Sequence, residues 1–133
     1  MHITLESDYA VRIVSCLVRE KTRLDAKTIA DKTNVTLRFA LKILRKLVAS
    51  GIVKSFKGTQ GGYELAKLPK EISLKDVIET VEGTYRLSRC LHEDYPCSMG
   101  KSGACCYQRV FNEISSIVQE KLQSYSFDMF DDK

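Results

Sequence analysis

Four of the chain's five cysteines, Cys90, Cys97, Cys105 and Cys106, fall inside one 17-residue window of the 133-residue sequence. Thiolates are soft, polarisable donors, so such a grouping points to metal binding or thiol redox chemistry. Three of these thiolates with His92 would suffice for a tetrahedral zinc site. Left free, the same sulfurs could form a regulatory disulfide, with the adjacent Cys105–Cys106 pair as a candidate. A structural disulfide is disfavoured by the expected compartment. Residues Met1 to Asp8 hold neither a basic stretch leading into an apolar core nor a small-residue cleavage site. No secretory signal is therefore expected, and the chain is expected in the cytoplasm. Cys16 stands apart on an amphipathic segment and reads as a small core residue.

A second chemistry is written in the charges. The net charge of +4 decides nothing by itself. However, no Asp or Glu occurs from Lys32 to Tyr63, a stretch that carries Lys32, Arg38, Lys42, Arg45, Lys46, Lys54 and Lys57. The acids collect elsewhere, notably at Asp128, Asp131 and Asp132. A segment of cations without acids is a solvated face or a phosphate-binding surface, and only its place in the fold can decide between them.

The elements that would position these residues follow from periodicity and punctuation. Asp8 to Arg19 sets Ala10, Ile13, Val14, Leu17 and Val18 on one helical face, with Ser7 or Asp8 as cap. Asp25 caps a short second helix to Lys32, with Ile29 and Ala30 inward. Asn34 and Val35 turn the chain into a third helix from Thr36, with Leu37, Leu41, Leu44 and Val48 as its expected buried stripe, alongside Ala40 and Leu47. Arg38, Lys42 and Arg45 occupy another face of that helix. Gly51 ends it. Two strand-like runs, 52–56 and 63–66, flank a glycine-bearing tip at residues 57–62.

This order is that of a winged helix-turn-helix, and its recognition helix and wing are the two acid-free elements. The coincidence favours double-stranded DNA as partner over a merely solvated face. Ser73 to Asp76 opens a fourth helix through a capping box, with Leu74, Val77, Ile78 and Val81 inward, and Gly83 closes it. Residues 84–104 lack periodicity and read as a loop of functional length. A last helix from about Cys105 to Tyr125 carries Tyr107, Val110, Phe111, Ile114, Ile117, Val118, Leu122 and Tyr125. A winged domain of about 80 residues cannot cover a helix of roughly 30 Å along its whole length, so a second copy is expected to pack there. The fold class is thus mainly α with a small β-hairpin wing and a long C-terminal dimerisation helix. Three segments are expected: 1–83 for DNA binding, 84–104 as sensor loop and 105–133 for dimerisation.

Catalysis and membrane insertion are not expected. Gly58 to Gly62 joins two strands instead of leading from a strand into a helix, so it fails as a phosphate cradle. There is no nucleophile elbow and no histidine paired with a nucleophile. The longest apolar-like run, Ile13 to Val18, is far short of the roughly 20 residues a bilayer requires.

Taken together, these residues resemble the IscR/NsrR/CymR family of winged-helix repressors (the "Rrf-two" family) over nearly the whole chain. The likeness rests on Ile3-Thr4 followed by Tyr9-Ala10-Val11, on Ile29-Ala30, on Leu44 through Val53, and on Gly61-Gly62-Tyr63-Glu64-Leu65-Ala66. Ile72-Ser73-Leu74 leading into Val77-Ile78, and the late cysteine loop before a long helix, complete it. The resemblance implies that Thr36, Arg38, Phe39 and Lys42 face bases or phosphates and that Lys57, Thr59 and Gln60 lie on the wing. It also implies a homodimer on a pseudo-palindromic operator.

Members with three loop cysteines hold an iron–sulfur cluster, and others respond through a protein partner, a branch the cysteines here argue against. The resemblance therefore implies a cluster, of two or four irons, on Cys90, Cys97 and Cys105, with Cys106 as the alternative third ligand. Cys105 is preferred because Phe111 then falls where the family places its first large aromatic after the loop. The intervals of six and seven residues between the cysteines are wider than the family's usual pattern. For the fourth ligand, some members use a histidine three residues after the third cysteine, where this chain has Gln108. Others use a carboxylate from the first helix of the opposite chain, where this chain has Asp8; His92 is the fallback. Such a cluster would sense nitric oxide, redox state or iron supply, with zinc or free thiols as the alternatives.

Overall fold

Each of the first four helices starts on a side-chain cap. In the computed structural model, which describes residues 2–91, 97–100 and 105–130, α1 (Leu5–Glu20) is capped by Thr4, whose hydroxyl accepts the Ser7 amide. Helix α1 thus begins one turn earlier than expected, and Ser7 and Asp8 lie inside its first turn instead of capping it. Asp25 caps α2 (Ala26–Thr33) and Thr36 caps α3 (Leu37–Ala49) through the amides of Thr28 and Phe39. Ser73 and Asp76 form the reciprocal capping box of α4 (Leu74–Glu82), both bonds at 3.0 Å. Helix α5 (Cys106–Gln123) begins at Cys105 without a side-chain cap.

Helix α3 ends as its sequence demands. Gly51 takes φ +83° and the amides of Gly51 and Ile52 reach back to the carbonyls of Val48 and Leu47. Those two bonds satisfy carbonyls that the helix end would leave open, and Ile52 and Leu47 are both buried beside them. The chain then enters β1 (Val53–Phe56), which pairs antiparallel with β2 (Gly62–Leu65) in the register Val53↔Leu65 to Phe56↔Gly62. Leu24, between α1 and α2, bonds in both directions with Tyr63 on the other side of β2. Gly62 permits this approach, since a Cβ there would stand 2.5 Å from the Leu24 carbonyl oxygen.

The core joins Ala10, Ile13, Val14 and Leu17 of α1 to Ile29 and Ala30 of α2, Ala40, Ile43, Leu44 and Leu47 of α3, and Val77 of α4. Truncating one of the fully buried leucines to alanine would cost about 2–5 kcal/mol. The expected stripe on α3 is corrected here. Leu37 and Leu41 are exposed and Val48 is half-buried, while Ile43 takes a core position. After α5 the chain returns to this core, where Phe127 is buried and its amide donates to the Ile72 carbonyl.

Helix α5 runs past α4 and holds the segment before it by side chains spaced along one face. Gln108 donates to the Cys90 carbonyl at 3.0 Å, the Ser115 hydroxyl accepts the Leu87 amide at 2.8 Å, and Gln119 donates to the Tyr85 carbonyl at 2.6 Å. Its other face leaves Tyr107, Val110, Ile114 and Ile117 exposed. Among the described residues no helix is long and apolar enough to cross a membrane.

Candidate nucleic-acid interface and cysteine loop

Once Ala40, Ile43, Leu44 and Leu47 are buried, helical geometry forces Arg38, Lys42 and Arg45 outward. These three cations, with Phe39 and Leu41, line an open depression on the outside of α3. Thr36 stands exposed at the start of the helix. Phe39 meets Tyr9 of α1 edge to face, with ring centroids 5.6 Å apart. On the wing, Lys57, Thr59 and Gln60 are all exposed at the tip between β1 and β2.

Ion pairs from α1 hold this helix in place. Glu6 lies 2.7 Å from Lys46 and 3.9 Å from Lys42, so a half-buried carboxylate braces the back of the cationic face. Arg12 bonds Asp8 at 2.8 Å, donates to the Thr33 carbonyl at the end of α2, and lies 5.2 Å from the Tyr9 ring centroid. The first helix thereby touches both members of the helix-turn-helix. The wing has its own brace in Arg23, which lies over Phe56 and donates to the Gln60 carbonyl.

Cys90 lies in the short helical turn Arg89–Leu91, and Cys105 sits at the start of α5. The Gln108–Cys90 bond fastens the Cys90 turn against the first turn of α5, next to Cys105. The Ser88 hydroxyl lies 3.1 Å from the Cys90 sulfur. Cys90, Cys97 and Cys105 are half-buried and Cys106 is exposed; none is in a disulfide. Cys16 is fully buried, and desolvation pushes its thiol up from the ordinary value.

A family model described as Rrf2, iron-dependent transcriptional regulator, matches residues 3–132. The chain belongs to the Rrf2 family. This Rrf2-family chain is 28% identical over 129 residues to the helix-turn-helix transcriptional regulator NsrR of Shouchella clausii, covering 95% of the chain and 85% of that protein. Its fold is that of CymR, the global cysteine regulator of B. subtilis, at a TM-score of 0.75 and 24% identity, over 96% of this chain and 94% of that one. IscR of T. potens superposes at 0.72 with 22% identity, over 96% and 84% of the two chains. The winged-helix reading of the sequence therefore holds. The protein is a transcription regulator with a DNA-binding fold and not an enzyme.

The metal-ligand expectations meet a mixed geometry. By kind, the donors fit a thiolate-bound group: Cys90 and Cys105 lie on neighbouring segments, and Cys97 lies between them in sequence. By position, no three His, Cys, Asp or Glu side chains converge on one point among the described residues of a single chain. Asp8 is on α1, paired with Arg12, and belongs to no such group. His92 lies outside the described residues. Sequence reasoning missed Arg23 and the exposure of Leu41. Arg23 carried no local signal, since its partners Phe56, Gln60 and Glu64 lie more than 30 residues away.

Proposed function

We propose that this regulator is a homodimeric repressor whose operator affinity is governed by an iron–sulfur cluster held in the cysteine loop. Cys90, Cys97 and Cys105 are the thiolate ligands in this reading, and Asp8 of the partner subunit completes the set. The single observation that carries it is the fastening of the Cys90 turn to the first turn of α5 by Gln108, beside Cys105. The family model's description as iron-dependent supports the same reading. When bound, the cluster supplies a centre open to attack by nitric oxide or oxygen and sensitive to iron supply. A carboxylate is a weaker, more exchangeable ligand than thiolate, which suits a sensor. Freeing Asp8 from Arg12 removes only an exposed helical ion pair, worth about 0.3–0.5 kcal/mol.

On the DNA side, Arg38 and Lys42 contact bases or phosphates from the major groove, with Thr36 and Phe39 beside them. Lys57, Thr59 and Gln60 extend the contact along the backbone from the wing. The loop joins the winged domain to α5, so occupancy of the cluster alters the spacing of the two recognition helices. Half-sites on B-DNA repeat every ~34 Å, and a shift of a few Å forfeits contacts at one of them.

Anaerobic purification followed by iron, sulfide and zinc analysis and an absorption spectrum tests the sensor. Brown protein with matched iron and sulfide is expected, and Asp8→Ala should alter the spectrum and shorten the cluster's lifetime. An unchanged spectrum and lifetime would remove Asp8 from the ligand set. Zinc without sulfide would replace the cluster by a zinc site, and metal-free protein would leave thiol chemistry. For the DNA face, Arg38→Ala and Lys42→Ala should weaken operator binding in folded protein and lower its salt dependence. Wild-type affinity in both would remove α3 from the interface.

A further inference from the structure

Three large apolar side chains lie exposed on α3, at Leu37, Phe39 and Leu41. For Phe39 the structure supplies a neighbour in Tyr9. Leu41 has a different setting. It lies three residues after Arg38 and four before Arg45, which makes it the helical neighbour of both arginines. It borders the same open depression as Arg38, Phe39, Lys42 and Arg45, and 39% of it is exposed. The core side of the helix is filled by Ala40, Ile43, Leu44 and Leu47, so Leu41 cannot join the core without rotating the whole helix.

The chemistry of the major groove supplies an occupant for that side chain. Along the base edges the groove presents hydrogen-bond donors and acceptors and one apolar group, the C5-methyl of thymine. Arginine takes guanine O6 and N7 or a phosphate, lysine takes phosphates or guanine, and neither rewards an apolar neighbour. A leucine between two such cations is matched to a methyl group on an adjacent base. We propose that Leu41 is a specificity-determining residue that packs on the C5-methyl of a thymine in each half-site, next to the bases or phosphates taken by Arg38 and Arg45. This inference rests on the reading of α3 as the recognition helix.

The test uses the full-length dimer and a pool of random duplex DNA. Wild-type protein should select a half-site with an invariant thymine, and Leu41→Ala should select the same half-site with that one position relaxed. Replacing the thymine of one half-site by deoxyuridine deletes a single methyl group. It should weaken wild-type binding about fourfold, the worth of one buried methyl, and leave Leu41→Ala unaffected. Leu41→Met, which keeps an apolar side chain of similar volume, should retain the deoxyuridine penalty and so report on contact in a folded protein. An identical consensus and an identical deoxyuridine penalty in wild type and Leu41→Ala would overturn the proposal while leaving α3 in the groove. Failure of wild type to enrich any sequence would instead overturn the recognition-helix reading, and this inference with it.

Discussion

The guanidinium carbon of Arg23 stands 3.4 Å from the centroid of the Phe56 ring. Arg23 precedes α2, and Phe56 is the last residue of β1, so this stacking ties the helical body to the wing. The same guanidinium donates to the Gln60 carbonyl at 3.1 Å and approaches Glu64 at 3.5 Å. The planar fork allows stacking and donation at once, which a lysine cannot reproduce. Arg23→Ala should therefore cost about 1–2 kcal/mol, from an exposed cation–π contact and one hydrogen bond. Faster amide exchange at Leu24 and Tyr63 and weaker operator binding should accompany it, with Arg23→Lys recovering little. A wing that exchanges at the wild-type rate in Arg23→Ala would show that the hairpin holds itself.

Glu6 offers a test of how α1 restrains α3, the helix proposed to face DNA. Its carboxylate lies 2.7 Å from Lys46 and 3.9 Å from Lys42. Converting it to an amide removes one negative charge beside the cationic face proposed to meet phosphates. Glu6→Gln should lose only about 0.5 kcal/mol of stability, the scale of a partly exposed ion pair. Its non-specific DNA affinity should rise about two- to threefold at low salt, and the gain should fade as salt screens the charge. Fluorescence anisotropy across a salt series reads both effects. Weaker binding at low salt would mean that Glu6 serves chiefly to align α3.

The cap of α2 makes folding stability depend on acid. Hydrogen bonding from the Thr28 side chain, and then from the Thr28 amide, holds the Asp25 carboxyl below the ordinary value of 3.8. A group whose folded value is depressed contributes stability that is complete above the unfolded value and is lost as pH falls through the folded one. Asparagine caps almost as well and does not titrate. Wild type should thus be at least as stable as Asp25→Asn at pH 6 and should lose ground to it below about pH 4. Parallel acid curves for the two proteins would show that the Thr28 bond does not discriminate between charge states.

The thiols divide by environment. Burial pushes the Cys16 thiol up and hides it, whereas Cys90, Cys97 and Cys105 are half-buried and Cys106 is exposed. Metal-free native protein at pH 8 should therefore show four rapidly alkylated thiols and one slow one, resolved by mass spectrometry of the labelled peptides. Cys16 should react only on unfolding. Rapid labelling of Cys16 would reveal opening of α1 from the core.

Much of this was legible in the sequence because local rules and tertiary packing agreed. Asp25, Thr36 and the Ser73–Asp76 box announced their helices, Gly51 ended α3 with a two-bond closure, and Gly58 and Gly61 of the wing tip lay between the two strands, with Gly62 opening β2. The reading failed where periodicity alone could not fix a phase. On α3 apolar residues occupy more than one face, so stripes through Leu37–Leu41–Leu44–Val48 and through Ala40–Ile43–Leu44–Leu47 both satisfy helical spacing. Contact with α1 and α2 selected the second, rotated by about one side chain, and left Leu37 and Leu41 outside. The start of α1 was missed because Thr4 and Ser7–Asp8 are all good caps, and only the fold distinguishes them. The cysteines were legible as chemistry but not as a site, since their placement depends on long-range contacts such as Gln108 with Cys90.

The exposed face of α5 bears on assembly. Tyr107, Val110, Ile114 and Ile117 follow intervals of three, four and three residues, the spacing of a seam between two helices. Ile117 is 58% exposed in the isolated chain, so replacing it by Glu should leave the monomer's helicity and core intact. In a two-fold dimer the same substitution places two carboxylates in one apolar interface, where desolvation without a partner costs several kcal/mol. Ile117→Glu should therefore weaken self-association by at least about two orders of magnitude, as read by sedimentation equilibrium. Operator affinity should fall with it, because a monomer engages one half-site and forfeits the second. Dimers of Ile117→Glu persisting at micromolar concentration would place the subunit interface on another surface and require a different geometry for bringing Asp8 to the cysteine loop.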